Sequence, residues 1–74
     1  PDQPELEFTD ICLYRNTPHA ITERSQLVNI LSGRIITLNI NEDETVSNMR
    51  SFENKLFIGS FGKMEEHTSE LQSL

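Results

Sequence analysis

Apolar residues in this chain recur in short clusters separated by polar or acidic turns. The first cluster, Glu5 to Asn16, carries Leu6, Phe8, Ile11, Cys12, Leu13 and Tyr14. Its pattern serves two readings. Leu6, Phe8 and Ile11, Leu13 partly suit a strand, whereas Phe8, Ile11, Cys12 and Arg15 follow the three-and-four spacing of one helical face. The helical reading is preferred because Glu5, Glu7 and Asp10 stand early in the segment, where the helix macrodipole favours acids. The expected element is a helix over residues 5 to 15, stopped where Pro18 biases Thr17 away from helical geometry.

A second cluster ends at Gly33. Ser25 is placed as an N-cap, Leu27, Val28, Ile30 and Leu31 supply apolar surface, and Gly33 stands where a left-handed C-terminal cap belongs. This predicts a short helix from Gln26 to Ser32; an alternative starts it at Pro18 with Thr17 as cap. Arg34 to Ile40 alternates as a strand, with Ile36, Leu38 and Ile40 on one face and Ile35, Thr37 and Asn39 on the other. After an acidic turn over Asn41 to Glu44, the residues Val46, Met49, Phe52, Glu53 and Leu56 recur at helical spacing, predicting an amphipathic helix through Lys55. Leu56 to Phe61 reads as a short strand ended by Gly62. The expected fold class is therefore α+β: one small domain over residues 1–62, two or three short helices, and a short sheet with strands near 34–40 and 56–61. Residues 63–74 are expected to form a weakly ordered or helical tail. No internal repeat stands out.

Composition narrows the function classes. With 74 residues, 35% of them hydrophobic, and a mean hydropathy of −0.45, the chain has room for one thin core. Twelve acidic residues against six Lys and Arg give a net charge of −6, which opposes unaided binding to nucleic acid or anionic lipid. No apolar run approaches the length of a membrane span, so no membrane association is expected. The single Cys12 has no internal disulfide partner and fits a reducing or neutral compartment; the expected location is intracellular, nucleus or cytoplasm. Starting at Pro1 without a methionine, the chain reads as a piece of something longer.

Candidate chemistry is sparse. Asn39, Asn41 and Asp43 alternate like the first ligands of a calcium loop, but Glu44 stands where glycine is needed and Arg50 where a bidentate glutamate is needed. Cys12, His19 and His67 are too few and too scattered for structural zinc, so neither metal nor cofactor is expected. As a nucleophile Cys12 would require a base, and a lone cysteine among apolar residues reads first as core. Carboxylates abundant on an acidic surface are mostly solvated, so no enzyme activity is expected of the chain itself.

The run Tyr14-Arg15-Asn16-Thr17-Pro18-His19-Ala20, followed by Thr22, Ser25 and Gly33-Arg34, resembles the end of the integrase catalytic core of Ty3/gypsy-type retroelements over residues 6–34. Glu23, Gln26 and Asn29 depart from that pattern, and Gly33-Arg34 comes one residue late. The resemblance implies a non-catalytic fragment or remnant associated with DNA integration, since the two aspartates and glutamate that hold two metal ions in that family would precede Pro1. It implies nucleic-acid contact, if any, through Arg15, His19, Arg24 and Arg34. A weaker likeness, Gly33 to Leu38 with Glu44 to Met49, is similar to the second strand and helix start of ubiquitin-like β-grasp domains. The alternative function is a small acidic protein–protein interaction module, ubiquitin-like or otherwise. In both readings the expected partner is protein, either the rest of a parent chain or another subunit, with weak or no nucleic-acid binding by the chain alone.

Overall fold

A computed structural model describes residues 7–41 and 43–72, so Glu5, Leu6, Glu42 and the last two residues of the expected tail lie outside the described residues. Seven strands and one five-residue helix follow in order: β1 Phe8–Tyr14, β2 Thr17–Thr22, β3 Gln26–Asn29, β4 Ile35–Thr37, β5 Val46–Phe52, β6 Lys55–Ser60, β7 Lys63–Glu66 and α1 Thr68–Gln72. The first four form an antiparallel sheet in chain order, and the last three form a second. The architecture is two small antiparallel sheets, not α+β with two or three helices. Helices expected over 5–15, Gln26–Ser32 and from Val46 to Lys55 are replaced by β1, β3 with its following turn, and β5.

Two bulges explain why β1 and β5 imitate helical spacing. Phe8 pairs with Thr22 but Asp10 pairs with Ile21, so Thr9 is an extra residue in β1. Val46 pairs with Ser60 but Asn48 with Gly59, so Ser47 is extra in β5. Each extra residue shifts the alternation by one, so Phe8 shares a face with Ile11, and Val46 with Met49. Apolar residues three apart therefore report a kinked strand here. In β3 the cause differs: Leu27 and Val28 are both buried, one on each face of a strand flanked by β2 and β4, so no alternation is visible.

The turns complete the meander. Arg15 and Asn16 both have positive φ, 51° and 61°, as do Glu53 and Asn54 at 52° and 63°. These are the two-residue mirror-image turns whose twist suits a hairpin. Gly33, at φ 78°, does take the left-handed conformation, but it closes the β3–β4 turn, where Asn29 Oδ1 accepts from the amides of Leu31 and Ser32.

The core lies between the sheets. Tyr14, Ile21 and Leu27 from the first sheet, with Leu38 just beyond β4, meet Val46, Met49, Leu56 and Ile58 from the second. β1 and β5 run side by side at this seam without a shared ladder. The Asp10 carboxylate bridges them, accepting from the Ile11 amide through Oδ1 and from the Met49 amide through Oδ2, both at 2.9 Å. Ser51 Oγ donates to the Leu13 carbonyl further along. The contacts advance in the same sense on both strands, so β1 and β5 are parallel. The C-terminal end is secured to β6: the Leu56 carbonyl accepts from the His67 amide at 2.8 Å, and the Leu56 amide donates to Thr68 Oγ1 at 2.9 Å. No helix among the described residues is long and apolar enough to cross a membrane.

Two substitutions test this packing. Asp10→Ala strips the acceptor from the part-buried Met49 amide and is expected to cost about 1–3 kcal/mol in urea unfolding, while Thr9→Ala at the exposed bulge stays within about 0.5 kcal/mol. Gly59 is buried against the end of the Asn48 side chain, which must rotate to admit a Cβ; Gly59→Ala is expected to change stability by no more than about 1 kcal/mol.

Candidate functional site

Cross-strand pairing assigns each residue of the first sheet to a face, because directly opposed residues point the same way. Asp10, Cys12, Tyr14, His19, Ile21 and Leu27 point toward the second sheet. Phe8, Ile11, Leu13, Ala20, Val28 and Ile35 point the other way. On that outer side Ile11 is 55% exposed and Leu13 62%, with Phe8 and Ile35 also exposed around a floor of buried Ala20 and Val28. The run Ile11-Cys12-Leu13-Tyr14 thus carries apolar side chains on both faces of one strand. That is the composition of a strand placed between two layers, yet only one layer covers it here.

The four basic residues singled out in the sequence are not gathered. Arg15 sits in the β1–β2 turn with its guanidinium 5.5 Å from the Tyr14 ring centroid. Arg34 is exposed in the β3–β4 connection, which returns to the same end of the sheet, as the Ile30 amide donating to the Pro18 carbonyl shows. Arg24 lies in the β2–β3 turn at the opposite end, separated by the length of β2, about 20 Å. His19 is buried: its Nδ1 donates to the Thr17 carbonyl at 2.8 Å, and its ring meets Tyr14 edge-on at 5.7 Å. Two of the four share one end of the sheet, and the histidine serves the core.

Chemistry at the titratable groups is correspondingly quiet. Among the described residues no group of three or more His, Cys, Asp or Glu is placed to hold a metal ion. The depression lined by Asn39, Ile40, Asn41, Glu44 and Glu65 offers two carboxylates on an open surface. His67 Nδ1 donates to Glu70 Oε1 at 2.9 Å, and Glu70 Oε2 accepts from the Asn39 amide at 2.9 Å, so this pair ties α1 to the segment after β4. Cys12 stands opposite His19 across β1 and β2. Burial foremost, then the Asp10 charge, raises the thiol pKa, while a hydrogen bond with Ser51 opposes the shift.

A thiol held protonated is a poor nucleophile. Native Cys12 should react with iodoacetamide at pH 8 more slowly than the same thiol in urea, a difference read by mass spectrometry. Because its folded pKa lies above the unfolded value, Cys12 adds stability that is complete below the ordinary value of 9.0 and is lost as pH rises beyond it. A Cys12→Ser variant should show a smaller fall in stability between pH 8 and 10.

The comparisons with known proteins return nothing: no family model, no curated protein and no solved structure matches the chain.

Proposed function

We propose that this chain is a small acidic interaction module that works through protein contacts. The observation that carries the reading is the outer face of the first sheet, where Phe8, Ile11, Leu13 and Ile35 expose apolar surface over buried Ala20 and Val28. Charge points the same way. A chain of net charge −6 repels polyanions, and Arg15 and Arg34 lie at the opposite end of the first sheet from Arg24 rather than aligned with it along a phosphate backbone. The helix on which the integrase-like segment would rest is the strand β1. The segment similar to a β-grasp strand and helix start forms β4, a loop and β5.

Titration with duplex DNA tests the reading. Affinity is expected to be weaker than about 10⁻⁴ M at physiological salt, below the range of ordinary non-specific binders. Micromolar, salt-sensitive binding that disappears in an Arg15→Ala, Arg34→Ala double variant would overturn it and favour a retained role at DNA.

A further inference from the structure

The two sheets are successive copies of one structural unit. Phe8 corresponds to Val46 and Thr22 to Ser60, an offset of 38 positions at both ends. Across that span every irregularity recurs in place. The bulged Thr9 matches the bulged Ser47, and the Arg15-Asn16 turn matches Glu53-Asn54 with nearly the same φ values. A third strand then returns antiparallel in both sheets.

The faces reveal how the copies are related. Ile11, Pro18 and Ala20 point outward from the first sheet, and their counterparts Met49, Leu56 and Ile58 point into the core. Conversely Tyr14 and Leu27 point into the core, and their counterparts Phe52 and Met64 point outward, Phe52 being 67% exposed. A two-fold related sandwich would bury the same face of both sheets. Here opposite faces are buried, and β1 and β5 run parallel, so the relation is head to tail. The contact between the sheets is heterologous, and a heterologous contact leaves one unsatisfied copy of each surface at the two ends of the stack.

We infer that the outer face of the second sheet, centred on Phe52 and Met64, docks onto the outer face of the first sheet of another copy of this chain, centred on Ile11 and Ala20. The inference rests on the interaction reading above and names the partner. Its template is the sheet-to-sheet contact inside the chain: Phe52 takes the place of Tyr14, Met64 that of Leu27, and Phe8, Ile11 and Ala20 take the places of Val46, Met49 and Ile58. The parallel β1 and β5 strands then become the inner strands of a stack that closes by radial repetition. Rings of this kind hold 4–8 sheets, so about two to four copies of a two-sheet chain would complete one.

Sedimentation equilibrium on the whole chain, from micromolar to millimolar concentration, tests the inference. Wild-type protein is expected to associate reversibly into a closed species of about two to four copies, and more strongly at high salt, because screening weakens repulsion between copies of charge −6. Ile11→Lys and Phe52→Lys alter exposed positions on the two different faces, and each alone should abolish association. Mixed together they should form a one-to-one pair, because each retains the face the other has lost. Circular dichroism establishes that both variants fold. If either does not, amide hydrogen exchange on wild-type protein replaces them, with protection of β1 and of β5 and β7 expected to rise together with concentration. A monomer at all concentrations would overturn the second copy as partner while leaving the interaction reading in place, whereas DNA binding would overturn that reading itself. Loss of association in Ile11→Lys alone, with Phe52→Lys unaffected, would overturn the head-to-tail arrangement in favour of a face-to-face dimer.

Discussion

The fold depends on the seam between β1 and β5. A chain this short, divided into two small sheets, has no single ladder running through it, so the sheets must be held by the core between them and by whatever joins their adjacent strands. Asp10 supplies that join. Its carboxylate satisfies the amide of its own neighbour Ile11 and that of Met49 on the facing strand, at 2.9 Å each. The Arg15-Asn16 turn sets the phase of this arrangement by fixing the register that places Asp10 opposite Ile21, and the extra Thr9 then brings Phe8 opposite Thr22. Tyr14, Ile21 and Leu27 then face Met49, Leu56 and Ile58 across the same seam.

A consequence of that geometry is asymmetry. The first sheet buries the face that carries Tyr14 and exposes the face that carries Leu13, while in the second sheet the counterpart of Tyr14, Phe52, is exposed. Exposed Phe8, Ile11, Phe52 and Met64 occupy the positions whose counterparts Val46, Met49, Tyr14 and Leu27 the internal contact buries.

Part of this was legible in the residues and part was hidden for stated reasons. The alternation around Ile36 and the apolar Leu56 to Ile58 mark the places where β4 and β6 lie. The helical expectations over β1 and β5 arose from Phe8 and Ile11, and Val46 and Met49, whose three-residue spacing is produced by bulges that no periodicity count distinguishes from a helix. The turns at Arg15-Asn16 and Glu53-Asn54 carry asparagine at the second position but lack the glycine that makes such turns conspicuous. The repeat escaped notice because Asn16 and Asn54 are the only identical pair between Phe8–Thr22 and Val46–Ser60; what recurs is the position of bulge, turn and pleat. The candidate surface was foreshadowed by Ile11 to Tyr14, an apolar run too dense for a one-sided strand, whereas the cationic residues Arg15, His19, Arg24 and Arg34 had no periodicity from which their dispersal over turns and core could be read.

Cross-strand nuclear Overhauser contacts between β1 and β5 test most directly the claim that two like units are joined head to tail. Contacts linking Asp10 with Met49 and Leu13 with Ser51 are expected, both advancing in the same direction along the chain. Contacts linking Asp10 with Ser51 and Leu13 with Met49, the order of antiparallel neighbours, or none at all between these strands, would contradict it.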